Sequence, residues 1–305
     1  MSHPGLVYGL RDHERYVYHY TSAQTAVDFI LCPGGTVKLS RFDQTNDPRE
    51  THRWEFHAGA IARSKDLSSD EYASDKLSSW LSAAIQGRAK VACFCTDVAP
   101  LTGEHYADVY KRGFSRPRMW AQYGDRHKGV CLIFDKARLI QALRTAFENA
   151  GSLVICQPVE YRNHPGVPPL HEHEFSVTVE DMVQLGRDQY PKHHVGRYWR
   201  RLFFEKALDW RDEVEWRALL MTDSEGPAFV EASSSLVGVV HGAEVAPKMS
   251  DKLIETCDTP EVGHLGLVWK NGYPWYDIGG FRWSYANRRM LEQHGDDWRA
   301  TPSQQ

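Results

Sequence analysis

The stretch Glu213-Val-Glu-Trp-Arg-Ala-Leu-Leu-Met221 joins a charged beginning to an apolar run. The run from Trp216 to Met221 predicts a buried strand, because short apolar segments of this length are typical of sheet interiors. Side chains two positions apart in a strand point to the same face, so the sequence predicts that Glu213 and Glu215 face one cleft. On spacing alone, the alternative is a surface ion-pair cluster in which these carboxylates pair with Arg217.

A second short motif, His19-Tyr20-Thr21, stands near the start of the chain. It follows the aromatic, strand-like stretch Tyr16-Val-Tyr18 and precedes Ser22, a favourable residue at a helix N-terminus. An enzyme that uses NAD as an ADP-ribose donor needs groups that bind sugar hydroxyls and a carboxylate that opposes the ribosyl cation. This early motif and the late glutamate pair together supply groups of both kinds.

The rest of the chain changes irregularly between short strands and helices. The predicted strands cover residues 36–40, 90–95, 129–134, 153–161, 214–221, 228–231, 236–240, 263–270 and 274–278. The predicted helices cover residues 22–31, 49–63, 69–86, 116–123, 136–149, 174–206 and 247–257. Because this order lacks the regular alternation of a doubly wound sheet, we expect a single α+β domain with a split, mostly antiparallel sheet and surrounding helices. We expect the domain to span residues 1–285 and a polar C-terminal tail to span residues 286–305.

Composition excludes some classes of protein. The chain has 305 residues, of which 42% are hydrophobic and 12% aromatic, so wholesale disorder is excluded. A net charge of −4 speaks against a protein whose main task is to coat nucleic acid. No apolar run approaches the roughly 18 residues of a membrane span, and the first residues lack the charged and apolar regions of a secretory signal. We therefore expect a cytoplasmic protein without a membrane partner.

Cysteine and histidine spacing predicts no metal centre. The six cysteines match no zinc pattern, and reduced, buried thiols are expected. His171-Glu-His-Glu174 and the pair His193-His194 lack the H-E-x-x-H spacing that places two imidazoles on one helix face. A metal-dependent hydrolase built on His171–Glu174 is the weakest functional hypothesis.

Five motifs, in this order, resemble those of a widespread bacterial family of unknown function. They read Tyr18-His-Tyr-Thr-Ser22, Asn46-Asp-Pro-Arg-Glu50, Cys93-Phe-Cys95, Met119-Trp-Ala-Gln-Tyr-Gly-Asp-Arg-His127-Lys-Gly129 and Trp210-Arg-Asp-Glu-Val-Glu-Trp-Arg217. One departure is Gln122, where histidine is expected to be frequent in the family. The family's architecture looks like that of the ADP-ribosyltransferase superfamily, including the DNA-modifying toxin DarT, which implies a split sheet of that type.

The resemblance also implies roles for individual residues, with NAD as substrate and without a metal. His19 would hold a ribose, and the backbone of Tyr20 and Thr21 would contact nicotinamide. Glu215 would be the catalytic carboxylate and Glu213 would orient the acceptor. Transfer to a nucleic acid or protein acceptor, or NAD hydrolysis in its absence, would suit a bacterial toxin or anti-phage effector with an antitoxin or defence-system partner.

Five further residues are candidates for NAD contacts. Arg41 could grip the pyrophosphate, because a guanidinium binds two phosphate oxygens at once, or it could pair with a nearby aspartate. Asn46 could contact ligand or simply stabilise its turn. Trp120 and Tyr123 share a helix face and could stack on nicotinamide or adenine, with core packing as the alternative. His127 could orient a phosphate or the site carboxylates. We expect these residues, His19, Thr21 and Glu215 to converge on one pocket.

A second functional hypothesis belongs to another class. The basic, aromatic stretches 111–128 and 197–201 could follow a phosphate backbone while their aromatic rings stack on bases. The protein would then be a non-catalytic nucleotide- or nucleic-acid-binding module, such as the sensor of a defence system. The alternative is that both stretches are solvated helix faces.

Overall fold

Strand β1 (Tyr16–Thr21) shows how the chain separates core from site residues. Tyr16, Tyr18 and Tyr20 are buried in one aromatic core, whereas His19 and Thr21 are half-buried on the opposite face. This alternation follows from the two-residue period of a strand. The computed structural model describes residues 14–59, 70–102, 105–163 and 173–277.

Strands and short helices follow one another along the described residues. The further strands are β2 (Thr36–Arg41), β3 (His57–Gly59), β4 (Ala89–Cys95), β5 (Val130–Asp135), β6 (Leu153–Pro158), β7 (Glu160–Arg162), β8 (Ser176–Thr178), β9 (Glu205–Ala207), β10 (Glu215–Met221), β11 (Ala228–Glu231), β12 (Leu236–His241), β13 (Gly263–Lys270) and β14 (Tyr273–Asp277). The α-helices are α1 (Ala23–Thr25), α2 (Pro48–Thr51), α3 (Ser74–Gln86), α4 (His105–Asp108), α5 (Pro117–Gln122), α6 (Lys136–Phe147), α7 (Val179–Phe203) and α8 (Pro247–Thr256).

The chain divides into two compact units. Among the described residues, the first unit comprises those within Met1–Val37, Cys93–Ala146 and Phe229–Gln305, and the second comprises those within Lys38–Ala92 and Phe147–Ala228. In the first unit β1 pairs antiparallel with β5, β5 with β12, and β13 with β14, whereas β12 and β13 are parallel. The tyrosines of β1 pack there against buried residues of α5, β5 and β13.

The second unit contains the glutamate motif. Strand β10 pairs antiparallel with β6, so that Met221 lies opposite Leu153. Two short parallel pairs, β3 with β8 and β7 with β9, accompany it. All six residues from Glu215 to Leu220 are buried, which explains why the apolar run after the glutamates forms a strand.

The α+β class and the mostly antiparallel, mixed sheet are confirmed. The predicted helix at 49–63 is wrong, because the helix ends at Thr51 and residues 57–59 form a strand. Trp54 and Phe56 donate their backbone N–H groups to the hydroxyls of Ser82 and Ser78, which keeps this segment extended. Helix α3 begins at Ser74, later than the predicted residue 69.

Predictions about the cap at Ser22, the cysteines and the C-terminal tail have different outcomes. Ser22 caps α1, since its hydroxyl accepts the N–H of Thr25 at 3.0 Å. All six cysteines are free thiols, but only Cys95, Cys131 and Cys257 are buried, so the expected burial is wrong for the half-buried Cys32, Cys93 and Cys156. The predicted tail at 286–305 lies outside the described residues, and the domain boundary stays a prediction. None of the helices described is long and apolar enough to cross a membrane.

Candidate functional site

Glu213 and Glu215 meet in the second unit, but the predicted route is wrong. Glu213 ends a 3-10 segment (Leu208–Glu213), and β10 begins only at Glu215. Val214 between them has a φ of 42°, in the left-handed region. The two carboxylates are therefore brought together by a tight backbone turn and not by the shared face of a strand.

Lys206 on β9 lies between the two carboxylates. Its Nζ is 3.0 Å from Glu213 Oε2 and 2.6 Å from Glu215 Oε2. The ammonium also lies 5.3 Å from the ring centre of Trp210, within the range of a cation–π contact. Lys206, Glu213 and Glu215 are all buried, at 6%, 3% and 4% exposure. One cation is thus held by two carboxylates away from water.

Arg217 binds the other side of Glu215. Its Nε donates to Glu215 Oε1 at 2.7 Å, and its Nη2 lies 2.6 Å from Glu50 Oε1. Its Nη1 donates to the carbonyl of Phe203 at 2.6 Å. The guanidinium is fully buried, so the alternative of a surface ion-pair cluster is wrong, although Arg217 is indeed a partner of Glu215.

The surroundings keep Glu215 charged. Burial alone would raise the pKa of Glu215, but the charges of Arg217 and Lys206 and their hydrogen bonds outweigh burial and lower it to about 2. The backbone N–H of Glu215 donates to the Tyr161 hydroxyl at 2.8 Å, which anchors the start of β10. Three carboxylates, of Glu50, Glu213 and Glu215, face two cations in direct contact, so these five groups carry one excess negative charge.

Sequence reasoning missed several members of this cluster. Glu50 ends the motif that begins at Asn46, and Tyr161 ends the predicted strand at 153–161, and neither position indicates a contact with the glutamate pair. Lys206 follows α7 in the stretch Phe203-Phe-Glu-Lys206, which has no recognisable spacing to the glutamates. The signal that could have found it is electrostatic, since two buried carboxylates require cations and Lys206 is a nearby lysine in an apolar stretch.

The first unit fixes His19 as a neutral imidazole. Its Nδ1 lies 3.1 Å from the carbonyl of Cys93, to which it donates, and its ring packs 5.4 Å from that of Phe94. Burial lowers the pKa of His19, and the bond to the Cys93 carbonyl opposes this only in part. The Nδ1–H tautomer leaves Nε2 as a hydrogen-bond acceptor, which is the group a sugar hydroxyl requires.

Tyr20 and Trp120 belong to the core of the first unit. The Tyr20 hydroxyl donates to the Gly113 carbonyl at 2.7 Å, and the Trp120 Nε1 donates to the Phe114 carbonyl at 2.7 Å. The two rings meet edge to face at 5.0 Å. Trp120 is fully buried, so it packs in the core, as the alternative to a stacking role stated. The Tyr20 side chain is also buried, which leaves only its backbone to contact a ligand.

His127 and Tyr123 lie at the edge of that core. The His127 ring stacks 6.2 Å from Trp120, and its backbone has a φ of 68°. Asp125 and Arg126 also have positive φ, so three consecutive residues adopt the left-handed conformation. Such a run is strained for residues other than glycine. Tyr123 and His127 are both half-buried.

Arg41 and Asn46 lie in the second unit. The Arg41 Nε donates to Asp43 Oδ1 at 2.9 Å, so the ion-pair alternative describes Arg41 in this structure. Asn46 is exposed, and the neighbouring Asp47 caps α2 by accepting the N–H of Arg49 at 2.9 Å.

The candidate residues thus form two groups, one in each unit. His19, Tyr20, Thr21, Trp120, Tyr123 and His127 belong to the first unit, and Arg41, Asn46, Glu213 and Glu215 to the second. Their convergence on one pocket stays a prediction. His171 lies outside the described residues, and the part of the chain that is described contains no cluster of three or more potential metal ligands.

Comparison with known proteins locates one similarity. Residues 119–218 match the family model described as "Protein of unknown function (DUF2971)". The matched segment begins at Met119 and includes Trp120, His127, Glu213, Glu215 and Arg217. No curated protein and no solved structure matches the chain.

Proposed function

We propose that the protein uses NAD as a donor of ADP-ribose, either to a macromolecular acceptor or to water, with Glu215 as the catalytic carboxylate. The observation that supports this proposal is the cation held between two buried carboxylates. Lys206 Nζ occupies a position 3.0 Å from Glu213 and 2.6 Å from Glu215. A ribosyl cation formed at the same position would meet the same charges.

The chemistry begins with cleavage of the bond between nicotinamide and ribose. The bonding electron pair leaves with nicotinamide, which becomes neutral, and positive charge develops on the ribose, as in glycoside hydrolysis. A carboxylate stabilises that charge best when it is already ionised and oriented. Glu215 meets both conditions, because its pKa of about 2 keeps it charged and Arg217 holds its Oε1.

Access to Glu215 requires one side chain to move. Glu215 is 4% exposed, and Lys206 is bound to it and to Glu213. The nicotinamide end of NAD is itself cationic, so it can replace the lysine ammonium without leaving the carboxylates uncompensated. Displacement of the flexible lysine side chain would free Oε2 of both carboxylates at once, while Arg217 still holds Oε1 of Glu215.

The remaining groups complete the proposed reaction. Glu213 accepts the proton of the incoming nucleophile, and when water is that nucleophile the products are ADP-ribose, nicotinamide and a proton. His19 Nε2 accepts a ribose hydroxyl, and the Tyr20 and Thr21 backbone contacts nicotinamide. Arg41, Asn46, Tyr123 and His127 are proposed NAD contacts, whereas the Trp120 side chain is fully buried and cannot stack on a ligand. A toxin or anti-phage effector with an antitoxin or defence-system partner is the proposed biological setting.

The matched variants Glu215→Gln and Glu213→Gln test this proposal. Each removes one carboxylate charge from Lys206, so each is expected to lower stability, and activity must be compared per folded molecule. Glu215→Gln is expected to reduce nicotinamide release on the order of 100–1,000-fold. Glu213→Gln is expected to spare NAD hydrolysis and to reduce labelling of macromolecules in a lysate.

Two results would contradict the proposal. One is unchanged nicotinamide release by folded Glu215→Gln protein, which would make the cluster purely structural. The other is the absence of any NAD turnover by the wild-type chain in a lysate that supplies acceptors and partner proteins.

A nucleotide- or nucleic-acid-binding sensor is the second candidate, and one surface favours it. Along α7 the exposed Arg197 and Arg200 place their guanidinium groups over the rings of Tyr198 and Trp199, at 5.5 and 5.1 Å. Alternating cations and rings of this kind bind single strands. Binding of an oligonucleotide that falls steeply with salt, without NAD turnover, would favour this candidate.

A further inference from the structure

We infer that the second unit contains a separate binding site for a small organic phosphate, in a cavity of about 300 Å³ beside the paired residues Leu153 and Met221. None of the residues assigned above to NAD lines this cavity. Its volume lies at the lower end of the roughly 300–1,000 Å³ range of small-molecule pockets. Three features support this site: the charges that line the cavity, a buried N–H of Arg88 without an acceptor, and apolar side chains in the lining.

The cavity wall has more positive than negative groups. Arg88 Nε lies 2.9 Å from Asp223 Oδ1, and Lys192 Nζ lies 3.5 Å from Asp223 Oδ2. Behind the wall, the fully buried Lys90 donates to the carbonyl of Ser224 at 2.6 Å and forms no ion pair with any described residue. Arg88 and Lys192 therefore share one carboxylate and Lys90 adds an unpaired charge behind them, which favours an anionic ligand.

Arg88 has a buried hydrogen-bond donor without an acceptor. Its Nη1 is buried and lacks a hydrogen-bond partner among the described residues. A buried N–H of a charged group without an acceptor is costly, so such groups are normally satisfied by protein, water or a ligand. A phosphate oxygen would satisfy this donor once the guanidinium turns into the cavity, because a guanidinium binds phosphate through two parallel hydrogen bonds.

Asp223 does not block this role. Its side chain is 65% exposed, and that of Lys192 is 57% exposed. Exposed ion pairs of this length contribute little to stability, so Lys192 can exchange Asp223 for a phosphate at small cost. Arg88 and Lys192, which both line the cavity, would then bind the same phosphate.

The apolar part of the lining suits an uncharged body. Leu153, Val195 and Met221 belong to it, and Leu153 is 47% exposed although it is a large hydrophobic residue. A phosphate alone would leave these side chains in contact with water. The site therefore fits a phosphate monoester that carries an apolar or aromatic group.

Calorimetric titration of the full chain with phenyl phosphate tests this site. The variants are Arg88→Gln, Lys192→Gln and Asp223→Asn, and the control is Arg53→Gln, an exposed arginine of the same unit that does not line the cavity. Arg88→Gln and Lys192→Gln are expected to weaken binding at least about tenfold, as loss of a charge-assisted hydrogen bond does. Arg53→Gln should bind as the wild type does.

Asp223→Asn gives the sharpest expectation, because its effect has the opposite sign. The asparagine oxygen can still accept from Arg88 Nε, whereas the charge that competes with phosphate for Lys192 is gone. Phenyl phosphate is therefore expected to bind more tightly to this variant. A merely structural role of Asp223 predicts no such gain, and this variant decides the matter should Arg88→Gln fail to fold.

Three results would overturn the inference. They are no binding of phenyl phosphate to the wild type at millimolar concentration, equal affinity of wild type and folded Arg88→Gln, and weaker binding by Asp223→Asn. Inorganic phosphate and benzoate complete the test. Equal affinity for inorganic phosphate would contradict the apolar part of the site, and equal affinity for benzoate would contradict its preference for phosphate.

Discussion

At the scale of single residues, Lys206 is the side chain on which the candidate site depends most. It neutralises two buried carboxylates at once, at 3.0 and 2.6 Å. Lys206→Met preserves much of the apolar stem but leaves Glu213 and Glu215 with one cation fewer. Breaking a buried ion pair from one side typically costs about 3–5 kcal/mol, and we expect a loss of that size in urea unfolding.

Lys38→Met is the control for this prediction. Lys38 is exposed on β2 of the same unit, and surface substitutions usually change stability by less than about 0.5 kcal/mol. Equal stability losses in the two variants would show that the carboxylates do not depend on Lys206.

The charge of Glu215 predicts how stability changes in acid. Its pKa falls from 4.5 to about 2 on folding, so its contribution is complete above pH 4.5 and is lost as the pH falls through about 2. That difference corresponds to about 3 kcal/mol. Unfolding free energies measured between pH 6 and 2 should fall less steeply for Glu215→Gln than for the wild type. Parallel curves would mean that Glu215 is not held ionised by its neighbours.

Sequence alone identified the two carboxylates and one partner, Arg217, but not Lys206 or Glu50. Glu213 and Glu215 stand out because they precede an apolar run, and they do meet. Lys206 and Glu50 reach them through the fold, and no local spacing encodes that. The exposure of Arg217 was also misjudged, since charged residues are seldom fully buried unless they are paired.

At the scale of elements, the turn at Val214 explains how the two glutamates converge. A φ of 42° is unusual for a β-branched residue, and such strain is typical of functional sites. Val214→Gly removes the strain, which is worth roughly 1–3 kcal/mol, against an entropic cost of about 0.5–1 kcal/mol. We expect stability in urea unfolding to be unchanged or up to about 2 kcal/mol higher.

Gly242→Ala is the opposite substitution, made at a position where only glycine fits. A Cβ at Gly242 would lie 2.2 Å from the carbonyl oxygen of His127, so this variant should be clearly destabilised. A Val214→Gly protein that is also destabilised would show that the valine side chain contributes more by packing than its backbone costs.

Contacts between elements also explain why the predicted helix at 49–63 is wrong. Asp47 and Pro48 do start a helix, as such residues often do. The chain then extends because the Ser78 and Ser82 hydroxyls of α3 accept its backbone N–H groups. Contacts between distant segments override local helix preference, and a sequence read in windows cannot anticipate them.

At the scale of the whole molecule, the irregular order of strands and helices was sufficient to predict an α+β fold. The division into two units was not predictable, because each unit is assembled from separate stretches of chain. No linker-like stretch of sequence marks the boundaries between the units. The burial of His194, His241 and His264 was also not predictable, because nothing in their local spacing indicates it.

Buried neutral histidines in both units predict acid sensitivity of the whole chain. Burial lowers the pKa of His194 in the second unit and of His264 in the first, each from 6.5 to about 4. His194 Nε2 donates to the Glu174 carbonyl, and His264 Nδ1 accepts from His241 at 3.1 Å. Because the unfolded chain takes up protons first, stability is complete above pH 6.5 and falls as the pH decreases through about 4.

Between pH 7.5 and 5, each of these histidines is expected to lower the free energy of unfolding by about 2 kcal/mol, because its folded and unfolded pKa values differ. His194→Phe should remove that share of the pH dependence, even though it loses a hydrogen bond and lowers stability at neutral pH. His193→Gln is the matched control, because His193 is the neighbouring histidine and its side chain is 41% exposed. Urea unfolding at several pH values measures all three proteins. An unchanged pH slope in His194→Phe would contradict the assignment of the acid sensitivity to this buried imidazole.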